Sequence, residues 1–156
     1  MDMTHNMNIL SISKGSTKFT DEQMDVLMDI LSNYSKTEDG KWLNNVDYGG
    51  LTYKWSPIME ESYVMAACPL IGKSIYVRPD GECPTYWIAL VAPAITHELR
   101  HMLQKKGNIV KYILYSVLSR IFLCISEDLY CNTLFEKDAF KCQDSMDKFI
   151  QTAGYL

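Results

Sequence analysis

In the segment "FTDEQMDVLMDILSNYS", Met24, Leu27, Met28 and Leu31 recur at the spacing of one helical face, behind a Thr20 cap and first-turn acids. This predicts a first helix over about residues 21–34, preceded by a short apolar segment at Ile9 to Ile12. The following "TEDGKWLNNVDYGG" is turn-rich, and Leu51 to Trp55 predicts a short strand ahead of Pro57. Two more strands are expected in "SYVMAAC" and "SIYVRPDGE". In the second, Ile75 and Val77 alternate with Ser74, Tyr76 and Arg78 between Gly72 and a Pro-Asp-Gly turn.

From Tyr86 the period changes. "YWIALVAPAITHELRHMLQKK" reads as a helix that stops at Gly107, and Pro93 should mark either its start or a kink. "IVKYILYSVLSRIFLCI", residues 109–125, is apolar nearly all round and predicts a buried central helix. A last helix, from about Leu134 to Thr152, carries Phe135, Ala139, Cys142, Met146 and Phe149 along one stripe. No internal repeat or low-complexity tract interrupts this order. The elements together predict an α+β domain, with helices packed on a small mixed or antiparallel sheet.

A chain of 156 residues fits one domain spanning 1–156. Its 47% hydrophobic and 22% charged residues predict a folded protein. With a net charge of -4 and the 15 Lys and Arg scattered, no basic footprint for nucleic acid is present, so none is expected as a partner. The five cysteines, Cys68, Cys83, Cys124, Cys131 and Cys142, are odd in number and form no C-x-x-C, which predicts reduced thiols. "MDMTHNMNILSISKG" lacks the basic and apolar regions of a signal peptide, so a cytoplasmic location is expected. Lys111 and Arg120 interrupt the apolar run at 109–125, which is also short for a span, so no membrane association is expected.

The chemistry is concentrated in "AITHELRHMLQKKG". His97 and His101 lie four residues apart, which on a helix puts both imidazoles on one face, close enough to share an ion. Glu98 sits at the edge of that face, where its carboxylate reaches water beside a metal without displacing a ligand. Zinc polarises a carbonyl and acidifies water, and a glutamate in that place accepts the proton. The plain alternative is a hydrogen-bonded histidine pair on an ordinary helix.

A hydrolytic zinc site needs a third protein ligand. The extended pattern H-E-x-x-H-x-x-G-x-x-H is absent, since Gln104 and Gly107 occupy its glycine and last histidine positions. His5 is the remaining histidine, near the N-terminus. The downstream acids Glu127, Asp128, Glu136, Asp138 and Asp144 are the other candidates. Glu136 leads because Ala139, three residues on, is small enough to let its helix approach the histidine helix. Asp138 and Glu127 stay open, because acids at helix starts often serve only the helix dipole.

"THELRHMLQKKG" followed by "CNTLFEKDAFK" resembles the small zincin metallopeptidases of the Glu-zincin type, H-E-x-x-H with a downstream E-x-x-A, often carried by phages, prophages and toxin-like systems. The resemblance covers roughly Ser74 to Phe149 and rests on those two motifs. It implies a minimal zincin-like fold, Zn2+ held by His97, His101 and Glu136, Glu98 as general base, and a peptide or protein substrate. A phage-encoded member would act in the host cytoplasm. It also implies an edge strand upstream of the histidine helix, a place that "SIYVRP" occupies either as a substrate-pairing edge or as an ordinary core strand.

An oxyanion partner is expected among Tyr130, Tyr76 and Arg100, with Tyr130 carried as the catalytic candidate. Arg100 points off the metal face and is expected in a salt bridge, and Gln104 and Met102 in helix packing. Asp138 is expected to orient a histidine from outside. The competing reading is a non-catalytic binding or virion-associated protein with a structural zinc, completed by a fourth ligand such as Cys131 or His5. Oligomeric state is not encoded in any of these features.

Overall fold

A computed structural model of the chain describes residues 11–69, 72–81, 84–125 and 133–156. Helix α1 (Asp21–Ser35) starts where Thr20 accepts from the Gln23 amide while the Gln23 side chain accepts from the Thr20 amide, a reciprocal capping box. The same Gln23 carbonyl oxygen accepts from Trp55 Nε1 at 3.0 Å, tying the helix start to the sheet. Leu27, Ile30, Leu31 and Tyr34 form its buried face, and Met28 faces solvent.

The described residues hold four strands: β1 (Thr17–Lys18), which the sequence pattern does not predict, and β2 (Thr52–Trp55), β3 (Ala66–Ala67) and β4 (Ser74–Val77), in the three places expected. The sheet order is β1-β2-β4-β3, with β2 and β4 parallel and the outer pairs antiparallel. The sheet is therefore mixed, and with helices packed on it the fold is α+β. "SIYVRP" is not an edge: β4 pairs with β2 on one side and β3 on the other, and β3 is the outer strand. Ile75, Tyr76 and Val77 are accordingly all buried, with Tyr76 in a separate small cluster with Ile12 and Met59.

Helix α2 (Thr85–Gly107) is the central element. It runs through Pro93, starting at Thr85 rather than near the proline. An interior proline costs about 3 kcal/mol, which burial of one or two aliphatic side chains offsets. Here Ile88, Val91, Ala92, Ile95 and Leu99 are all fully buried against α1 and the sheet.

Helix α3 (Ile109–Ile125) corrects the expectation of a buried central helix. Val110 is 74% exposed, and Ile109, Ile113, Leu114, Val117 and Ile121 also face solvent. The run is apolar on every side, but α2 already fills the place between sheet and helices. No helix among the described residues is long and apolar enough to cross a membrane. Helix α4 (Leu134–Ala153) packs along α2 through Glu136, Ala139, Met146 and Ile150, while Phe135, Cys142 and Phe149 are half-buried. Gly154, with φ 82, ends it in the left-handed conformation.

Candidate metal centre

Fully buried Ala139 lets α4 lie close against α2, and this brings Glu136 beneath the histidine pair. His97 Nε2 and His101 Nε2 are 3.1 Å apart, with Glu136 Oε2 3.1 Å from the first and Oε1 2.9 Å from the second. All three side chains are buried. Among the described residues this is the group of His, Cys, Asp and Glu able to share an ion.

The dimensions test the fit of zinc. With zinc–ligand distances of about 2.0–2.1 Å, a tetrahedral site has ligand–ligand edges of about 3.3 Å. The two histidine nitrogens, 3.1 Å apart, come within a few tenths of an ångström of one such edge, while each meets a different oxygen of Glu136; with one ligand atom taken from each residue the three lie within 4.8 Å of one another, so a shift of the carboxylate makes them one face of that tetrahedron. Without a cation, two imidazole nitrogens and a carboxylate converge on one point and must share a proton. The donor set of two imidazoles and one carboxylate is one of those that hold catalytic zinc.

Burial by itself lowers the pKa of His101, but the hydrogen bond and charge of Glu136, together with the charge of Glu98, raise it to about 9. Glu136 moves the other way: burial raises its pKa, and the hydrogen bonds to His101 and His97 outweigh that and bring it to about 2. Glu98 stands outside the triangle. Its Oε2 accepts from the Cys68 amide just past β3, at 3.1 Å. Burial pushes its pKa up, against the lowering pull of His101 and His97.

Around the triangle, Phe140 stacks edgewise on His97, with ring centroids 4.5 Å apart. Tyr112 of α3 faces His101 at 6.0 Å, and both line a cavity of about 270 Å³ with Cys68, Met102 and Ile109, rimmed by Lys73, Lys105 and Lys106. Burial, reinforced by the charge of Glu98, raises the Tyr112 phenol. His97 Nδ1 is buried with no hydrogen-bond partner among the described residues.

Among the expected site residues, His97, His101 and Glu136 come together with Glu98 alongside. Tyr76 does not join them, because it lies in the small cluster with Ile12 and Met59. Arg100 turns away to Asp138, which accepts from its Nε at 2.6 Å, and to the ring of Trp42. Asp138 reaches no histidine directly. Gln104 is not mere packing, since it contacts His101, Asp138 and Phe135. Tyr130, Cys131, Glu127, Asp128, Cys83 and His5 lie outside the described residues, and Asp144 is exposed on α4, away from the triangle.

Sequence reasoning missed Tyr112 and Gln104. Both follow the motif within a few turns, and only the reversal between α2 and α3, or the approach of α4, gives them a role. No protein-family model, no characterised protein and no solved structure matches the chain.

Proposed function

We propose that the protein is a zinc-dependent peptidase that hydrolyses peptide bonds in a peptide or protein substrate, with Glu98 as general base. The observation that carries this reading is the buried triangle of His97, His101 and Glu136 with a further carboxylate, Glu98, beside it and outside it. A structural zinc clip has no use for that carboxylate. A hydrolase needs it, and three protein ligands leave a fourth position for water and substrate.

Zinc in this site supplies a Lewis acid that polarises the scissile carbonyl and acidifies water. Glu98 holds the proton taken from the attacking water and delivers it to the departing amine. Its Oε2 is anchored by the Cys68 amide, which leaves Oε1 for that transfer. Burial raises its pKa, which makes it a stronger base when ionised. Tyr112 takes the oxyanion role, donating from its phenol across the cavity it shares with His101. Strand β3, the outer strand on the Glu98 side, is the place for an extended substrate to pair by main-chain hydrogen bonds. The setting we propose is the cytoplasm, in keeping with the unpaired thiols of Cys68 and Cys142.

The test is incubation of the zinc-loaded protein with a mixed peptide library, reading new termini by mass spectrometry. Wild type is expected to cut, and Glu98→Gln to bind zinc but not cut. Absence of cleavage by wild type, or undiminished cleavage by Glu98→Gln, overturns the proposal.

A further inference from the structure

Gln104 sits one turn beyond His101 on α2, with its amide between that imidazole and α4. Gln104 Nε2 lies 3.0 Å from the Phe135 carbonyl oxygen and 2.8 Å from Asp138 Oδ2. Both are acceptors only, so the NH2 group must stand there, and a flipped amide would set its oxygen against two oxygens. Its carbonyl oxygen therefore faces His101 Nδ1, at 2.8 Å. That oxygen can only accept, so Nδ1 carries the hydrogen and His101 presents a bare Nε2 to the triangle when neutral. Asp138 is in turn gripped by Arg100, through Nε at 2.6 Å and Nη2 at 3.3 Å. Every donor in the chain points toward Asp138. His97 has no such support, its Nδ1 being unpartnered among the described residues.

We propose that Gln104 is a positioning residue for the metal centre: it holds His101 in the Nδ1–H tautomer and relays the negative charge of Asp138 to that imidazole. The proposal rests on the metal-binding part of the function proposed above. It assigns to a neutral amide the place where a carboxylate or backbone carbonyl commonly orients a metal-binding histidine.

Two variants test it by two measurements. Gln104→Met keeps side-chain length and removes the amide, and Asp138→Asn keeps an acceptor for Gln104 but removes the charge. Zinc affinity is measured by competition with a chromophoric chelator. The His101 tautomer is read from long-range 1H–15N spectra of the metal-free protein at alkaline pH.

Gln104→Met is expected to lose about 10- to 100-fold in zinc affinity while still binding one ion at saturation, and to show an Nε2–H population at His101. Asp138→Asn should keep the Nδ1–H tautomer with a smaller loss of affinity. A purely structural role lowers stability without moving the tautomer. The relay is overturned if Gln104→Met binds zinc as tightly as wild type, or if His101 stays Nδ1–H without the amide. Should wild type bind no zinc, the functional proposal falls, and the tautomer in the metal-free chain still decides what Gln104 does. If Gln104→Met does not fold, Asp138→Asn decides: loss of the Nδ1–H form, or a zinc affinity equal to that of wild type, overturns the relay.

Discussion

Zinc uptake should be strongly pH-dependent, in a direction set by the empty site. In the metal-free chain His101 has its pKa raised from the ordinary 6.5 to about 9. Zinc takes the Nε2 lone pair, so the proton must leave as the metal enters. While His101 is protonated, each pH unit raises the apparent affinity about tenfold, and with half of the protons already gone at pH 9 the gain between pH 7 and pH 9 is about 50-fold, or about 2.3 kcal/mol. Above that the curve flattens. The same proton stabilises the metal-free fold, an effect fully present below 6.5 and lost as pH rises through about 9. Glu136 adds stability above its ordinary 4.5, lost as pH falls toward about 2. The metal-free chain is therefore most stable between the two, and zinc replaces the proton that holds it together. Titration calorimetry in buffers of different ionisation enthalpy measures the protons released, expected near one per zinc at pH 7 and near zero at alkaline pH. An affinity equal at pH 6.5 and pH 9, with no proton released at pH 7, would refute the reasoning.

Three other outcomes follow from the packing and the site. Ala139→Leu pushes α4 off α2 and carries Glu136 out of the triangle; it should cost about 1–3 kcal/mol in thermal unfolding and weaken zinc binding. Val110→Asp should change stability by no more than about 0.5 kcal/mol, because that side chain is 74% exposed; a loss of several kcal/mol would restore the buried reading of α3. Tyr112→Phe should lower kcat on a cleaved peptide about 100-fold with KM little changed, and an unaltered kcat would remove it from the oxyanion role.

The parts of the fold legible in the sequence are those governed by local rules. Thr20 and Gln23 form a box four residues wide, and the buried face of α1 repeats at helical spacing, so both could be read directly. What failed depended on competition between distant segments. Residues 109–125 carry enough apolar surface for a central helix, but so do residues 85–107, and only one of them can occupy the place against the sheet. Pro93, which predicted either a helix start or a kink, does not start the helix, and the burial that surrounds it offsets the cost of its interior place. The order β2-β4-β3, which removes "SIYVRP" from the edge, is non-local pairing that no period encodes. Glu136 was legible because the clue to its helix's approach, Ala139, lies on the same turn. Gln104 was not, because its amide acquires an orientation only from Phe135 and Asp138 on another helix.

The charges of the site bind its parts into one argument. With Glu136 and Glu98 ionised and His101 protonated, the metal-free centre carries one net negative charge in a poorly solvated place. A divalent cation with neutral histidines brings that sum to zero, since two positive charges then meet two carboxylates. The empty site resists ionising Glu98 first because burial penalises its charge and also because Glu136 repels it, and that is the direction in which its pKa moves. A dication beside it reverses the repulsion and favours the ionised carboxylate. A dication in the triangle would therefore favour the ionised form of Glu98, and would offset the cost of leaving that carboxylate charged and buried. A histidine pair on an ordinary helix has no reason to keep a second carboxylate in such a place.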